Sequence, residues 1–225
     1  MIPLRDSIPS RRTAWITRLI LIANVVAFIL ELKQGASLEA FIYRFGVVPT
    51  HWAMSSLSDL LDWPQLVMTL VSSQFLHGGV LHLVSNMLYL WIFADNVEDR
   101  FGHGRFLLLY LASGAAAAVT QIVIAPHSTI PMVGASGAIA GVLGAYLILF
   151  PSARIVTLIP LWFVWETVEV PAFIFLGIWF LLQWFEGLRV IGQVVDVGGV
   201  AFWAHIGGFV TGILAVVLVR PQRRW

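Results

Sequence analysis

Apolar, charge-free runs alternate with short charged stretches along almost the whole chain. Leu19 to Leu30 is apolar and extends back to Ala14 past Arg18, whose long side chain can snorkel to an interface. Trp63 to Ala94 carries no charge, and its second part, from Gly79, reads as an apolar helix. Phe106 to Ala153 is charge-free for 48 residues and is split by the breaker-rich stretch Pro126–Pro131. At about 20 residues per crossing, that run holds two membrane helices. Val170 to Phe185 is a fifth apolar segment, and Val197 to Val219 a sixth, closed by Arg220 and Pro221. The pattern predicts an all-α polytopic membrane protein with six transmembrane helices, near 14–32, 78–95, 105–125, 136–150, 170–189 and 200–219. Residues 1–13 and 221–225 are then short flanking segments around a membrane domain of 14–220.

The basic residues set an orientation. Six spans put both ends on one side, which receives Arg5, Arg11, Arg12, Arg18, Arg100, Arg105, Arg154, Arg220, Arg223 and Arg224; the other side receives only Lys33, Arg44 and Arg189. That excess predicts cytoplasmic termini. The long outer connection from Lys33 to about Gln74 mixes Trp52, Leu57, Leu60, Leu61 and Trp63 with polar residues, so short amphipathic pieces lying in the interface are expected there. Composition agrees with a membrane protein. Hydrophobic residues make up 59% and charged residues 11% of the 225, against about 45–50% and about 25% in soluble domains. A net charge of +1 gives no electrostatic case for a nucleic-acid partner, and the lack of cysteine removes thiol nucleophiles and Cys-ligated metals. Met1 to Trp15 is polar and Arg-bearing, with no cleavable leader expected.

Strongly polar residues inside a span are candidates for function. The second span holds His82 and Asn86, with His77 at its outer end. The fourth begins Gly134-Ala135-Ser136-Gly137, and the sixth contains Ala204-His205-Ile206-Gly207-Gly208. Spans two, four and six run in the same direction. At about 1.5 Å per residue, His82, Ser136 and His205 each lie ~20–22 Å from the inner boundary, in one layer. Glycines at 137, 141 and 144, and at 208 and 212, offer faces on which spans four and six can pack closely and bring Ser136 towards His205. Asn86 lies one turn beyond His82 on the same face. The layer then holds a hydroxyl, a possible base, two side-chain donors and a helix N-terminus, the inventory of acyl transfer. Each residue alone also has a structural reading: a helix-start serine bonded to backbone, a satisfied core histidine, a His–Asn packing pair. A zinc site from His77, His82 and His205 is a poor fit, since His77 and His82 are five apart and no H-E-x-x-H occurs.

The stretches His77-Gly-Gly-Val-Leu-His82-Leu-Val-Ser-Asn86, Gly134-Ala-Ser136-Gly137 and Ala204-His205-Ile-Gly-Gly208, together with Glu98-Asp-Arg100-Phe-Gly102, resemble the rhomboid family of intramembrane serine proteases, bacterial type, from about Phe45 to Gly212. The resemblance implies a six-helix fold with a water-filled cavity, Ser136 as nucleophile and His205 as general base. It implies an oxyanion hole from His82, Asn86 and the Ser136 N–H, with His77, Gly134, Gly137 and Gly208 as active-site support. Implied partners are the bilayer and transmembrane protein substrates, cut without cofactor or metal. A bacterial plasma membrane is the expected location, and the fifth helix with the loop Gly187–Gly199 the expected gate and cap. A rhomboid-like protein that binds transmembrane helices without cutting them is the alternative. Two positions depart from the family pattern. Ala140 stands where many members carry an aromatic that stacks on the histidine, and the Trp-Arg pair of the first outer loop is missing.

Overall fold

The computed structural model describes residues 1–55, 63–161, 164–190 and 200–221. Among the described residues, five helices are long and apolar enough to cross a membrane: α1 (Trp15–Leu32), α5 (Val80–Phe101), α6 (His103–Ile124), α8 (Ala172–Val190) and α9 (Phe202–Val219). A sixth apolar helix, α7 (Ser136–Leu149), is shorter at 14 residues, or about 21 Å. It also differs in surroundings. Every residue from Gly137 to Tyr146 is buried, so α7 is the hub of the bundle, walled by protein rather than lipid. Its neighbours instead expose apolar faces, such as Leu108 and Val123 on α6 and Leu181 and Phe185 on α8. A helix surrounded by protein can be short, and its N-terminus then sits inside the bundle.

The first long connection folds into α2 (Leu38–Phe45), α3 (Pro49–Met54) and α4 (Trp63–Ser72). Short helices are what the alternation of Trp and Leu with polar residues predicts, although Leu57, Leu60 and Leu61 lie outside the described residues. The all-α expectation needs one correction. Strands β1 (Ile2–Asp6), β2 (Arg154–Leu161) and β3 (Val164–Pro171) form an antiparallel sheet in the order β1-β2-β3. Asp6 pairs with Ile155 and Ile2 with Leu158, while β2 and β3 run in register from Arg154–Pro171 to Leu161–Val164. Ile155 and Thr157 point into the core at 0% exposure, the period-two burial of a strand. The segment linking α7 to α8 is thus a hairpin, and the first residues of the chain are its third strand.

The sheet packs at one end of the bundle. The Tyr146 hydroxyl, near the end of α7, donates to Asp6, and Asn96 Nδ2 of α5 donates to the same carboxylate at 2.8 Å. α9 runs parallel to α7 against it, so the start of the chain and the end of α9 lie at the same end. There, the buried Glu98 carboxylate of α5 accepts from the N–H of Ile16 (2.9 Å), the N–H of Thr17 (2.8 Å) and Thr17 Oγ1 (2.7 Å). It satisfies the open N–H groups at the start of α1 and sits at the positive end of that helix. Arg100 lies over the Phe150 ring at 5.0 Å. The Glu98-Asp-Arg100 segment therefore fastens α1 and the end of α7 to α5.

Candidate active site

Glycine sets the distance between α7 and α9. A Cβ on Gly208 would collide with the Gly137 carbonyl, one on Gly212 with the Gly141 carbonyl, and one on Gly144 with the Phe209 carbonyl. Backbone lies on backbone along the whole crossing, which small residues alone permit. This register puts the first residue of α7 beside the first turn of α9, and His205 Nε2 lies 2.9 Å from Ser136 Oγ. Both side chains are half-buried.

The backbone leading to Ser136 is held from the other side. Met132 and Val47 exchange two backbone hydrogen bonds (2.7 and 3.1 Å), and the Gly134 N–H donates to Ser73 O at 2.9 Å. Gly134 has φ +134°, a conformation that L side chains rarely adopt. Its missing side chain also makes room. The position a Cβ would occupy is 2.9 Å from His82 Nε2 and 3.5 Å from Ser136 Oγ, so imidazole and hydroxyl converge on the same small space.

The tautomer of His82 follows from its other nitrogen. Nδ1 lies 3.3 Å from the N–H of Gly78 and accepts from it. In the neutral ring the proton is then on Nε2, the nitrogen facing Ser136. Asn86, buried one turn later, has an Nδ2 with no hydrogen-bond partner among the described residues. Ser136 begins α7, so its N–H and the next ones have no acceptor inside the helix. Three kinds of donor thus border the cavity onto which Ser136 opens.

All of these groups line a cavity of about 800 Å³, with Ser73, Gln74, Ser85 and Gln121 adding polar wall. His77 is not on that wall. Its buried ring stands edge-on behind His82, centroids 5.2 Å apart, and against Phe28 at 6.4 Å, while its N–H donates to both oxygens of Glu31 at 3.1 Å. Among the described residues, no group of three or more His, Cys, Asp or Glu is placed to hold a metal ion.

Two residues at the site were not singled out from the sequence. Gln183 Oε1 lies 2.7 Å from His205 Nδ1. The Trp179 ring lies tilted against the His205 ring with centroids 6.0 Å apart. Both come from α8, one turn apart. The position four residues after Ser136 could not supply this ring, since Ala140 is buried in the α7–α9 contact; an aromatic from a different helix stands against the histidine instead. A polar residue in an apolar span was the available signal for Gln183. Counted back about 12 residues to Pro171, it lies ~18 Å from the same boundary, near the layer of the other three. Most of the expected cap, 191–199, lies outside the described residues.

Comparison with known proteins gives one consistent result. A family model described as "Rhomboid domain" matches residues 64–222. "RHOMBOID-like protein 6, mitochondrial" of Arabidopsis thaliana is 29% identical over 95% of this chain and 72% of its own length. "Rhomboid protease GluP" of Bacillus subtilis is 38% identical over 56% of this chain, but over only 23% of its own length. "Rhomboid protein 1, mitochondrial" of Saccharomyces cerevisiae is 30% identical over 77% of this chain and 48% of its own.

Proposed function

The chain belongs to the rhomboid family, and from that premise we propose that it is an intramembrane serine endopeptidase that cuts transmembrane protein substrates with Ser136 and His205. The observation that carries this reading is the 2.9 Å contact between His205 Nε2 and Ser136 Oγ at the wall of a polar cavity. In the reaction, Ser136 Oγ attacks the scissile carbonyl while His205 Nε2 takes its proton. The oxyanion forms among the His82 Nε2–H, the Asn86 amide and the Ser136 N–H. His205 then returns the proton to the leaving amine, and water, activated the same way, hydrolyses the acyl-enzyme. The chemistry uses no cofactor and no metal.

The protein is an integral membrane protein, with apolar helices that match the family's setting. We read six crossings, α7 being the fourth, with 14–220 as the membrane domain and with residues 1–13, 221–225 and the sheet on the cytoplasmic side, as the basic residues favour. His205 and Ser136 then lie towards the outer side, and substrate helices with Gly or Pro near the cut unwind into the cavity most easily. The bacterial plasma membrane expected from the compact chain has no support, since two of the three relatives named above are called mitochondrial.

The test is cleavage of a transmembrane reporter segment by the protein reconstituted in liposomes. Wild type should cut it, and Ser136→Ala and His205→Ala should not. Cutting that survives Ser136→Ala would refute the assignment. A folded wild type that binds the segment and leaves it whole would identify a helix-binding rhomboid-like protein instead.

A further inference from the structure

Histidine can act as the base for Ser136 only in one of its two neutral forms. The lone pair must be on Nε2, which faces Ser136 Oγ at 2.9 Å, so the proton must be on Nδ1. At Nδ1 stands the side-chain oxygen of Gln183, 2.7 Å away. A carbonyl oxygen accepts and cannot donate, so this contact is a hydrogen bond only when Nδ1 carries the proton. Were the amide turned to present its NH₂, Nδ1 would have to accept. The proton would then move to Nε2 and point at Ser136, leaving no base. The orientation of one amide thus selects the form of the histidine.

We infer that Gln183 is a positioning residue for His205, the third member of a Ser136–His205–Gln183 relay in which an amide carbonyl takes the place of the carboxylate of a full triad. This rests on the protease reading above and deepens it. Three observations carry it beyond the single contact. Gln183 is a strongly polar, half-buried side chain in an otherwise apolar stretch of α8, whose neighbours Leu181, Leu182, Trp184 and Phe185 are exposed, and such a residue is costly unless bonded. Trp179, one turn earlier on the same helix, has its ring tilted against the imidazole with centroids 6.0 Å apart, so α8 contributes both a ring contact and the partner of Nδ1. Finally, the described residues offer Nδ1 no carboxylate: His82, across the site on α5, is the nearby titratable group, while α7 brings Ser136 and α8 brings Gln183. Among the described residues, Gln183 is the side chain bonded at Nδ1 that can choose between the two forms.

An amide differs from a carboxylate in a measurable way. It selects the proton position without adding negative charge, so it does not favour the imidazolium that forms during attack. A relay of this kind is weaker than a carboxylate triad, and its acid limb lies at lower pH.

The experiment compares wild type, Gln183→Leu and Gln183→Glu as full-length protein in detergent. The readouts are thermal stability, the rate of Ser136 phosphonylation by a fluorophosphonate between pH 5 and 9, and the ¹⁵N shifts of the His205 ring. Leu keeps the volume and suits an apolar helix, so folding should hold. Its labelling rate should fall by roughly 10- to 100-fold, with Nδ1 no longer protonated in most molecules. Glu restores an acceptor and adds charge, so labelling should survive with its acid limb displaced upward by about one pH unit or more. A wild-type ring protonated on Nε2, or a Leu variant that labels at the wild-type rate with the wild-type pH profile, overturns the inference. The protease reading fails separately: wild type would go unlabelled, or would label no better than Ser136→Ala, while the ring shifts would still report whether Gln183 sets the tautomer.

Discussion

The backbone of Gly208 lies directly on the carbonyl of Gly137, with no room for a methyl group between them. The two residues follow His205, the proposed general base, and Ser136, the proposed nucleophile, by three positions and by one. Their contact therefore ties the start of α7 to α9 close to Ser136 and His205, and it belongs to backbone, which cannot move aside as a side chain can. Gly208→Ala should force α9 away from α7 and lengthen the hydrogen bond that now measures 2.9 Å. Activity should drop by about 100-fold or more, since an ångström of misplacement can cost that much, together with a lower unfolding temperature. An alanine variant with full turnover would show that the crossing does not set the geometry.

In the proposed mechanism, the His82 and Asn86 donors act only as charge develops on the substrate oxygen. Asn86→Ala and His82→Ala should each lower kcat, by roughly 10- to 1000-fold, while KM stays nearly constant. Loss of Asn86 should cost less than loss of Ser136 or His205. Steady-state kinetics on a transmembrane reporter checks the split; a pure KM effect would make these residues substrate-binding groups instead.

Glu98 should matter for stability rather than chemistry. Its carboxylate holds the first turn of α1 through three hydrogen bonds from Ile16 and Thr17. Glu98→Gln should cost about 2 kcal/mol or more, because charge-assisted bonds at a buried helix start are lost. Thermal unfolding in a mild detergent measures it. A variant as stable as wild type would mean that α1 is held by lipid-facing packing alone.

The attachment of β1 should weaken as pH rises. Burial pushes the Asp6 carboxyl up from the ordinary 3.8 to about 6; the Tyr146 hydrogen bond opposes this, and the nearby Asp95 adds to it. The folded chain therefore holds that proton more tightly than the unfolded one. The stabilisation is complete below about pH 4 and is lost as pH climbs through 6. Hydrogen exchange of the β1 amides, corrected for intrinsic rate, should show falling protection between pH 5 and 7. Asp6→Asn should flatten that dependence; a slope unchanged by the substitution would place the titration elsewhere.

Much of this was legible in the sequence because lipid is a simple solvent. Charge-free runs mark helices, and five of the helices found begin and end within two residues of those expected, whereas α5 runs on to Phe101, six residues past the expected end. Rise per residue alone put His82, Ser136 and His205 in one layer, and the glycine spacing gave the α7–α9 face. The sheet was not legible in the same way. Ile155 to Leu161 is a short apolar run between Arg154 and a later charged stretch, and hydrophobicity alone does not separate a buried strand from a piece of helix. Its pairing with Ile2–Asp6 joins residues some 150 positions apart, which no local pattern encodes. Gln183 and Trp179 were missed for another reason. Ala140 left the histidine without the ring the family pattern supplies, and the replacement comes from α8, a helix read from sequence only as a gate.

The most direct test of the central claim is covalent. The detergent-solubilised protein is treated with a fluorophosphonate probe, and the modified residue is located by peptide mass mapping. An activated serine should carry the phosphonyl group on Ser136, at close to one per chain, with none on Ser136→Ala and little on His205→Ala. Label on another residue, or a folded wild type that takes up none, would contradict the account.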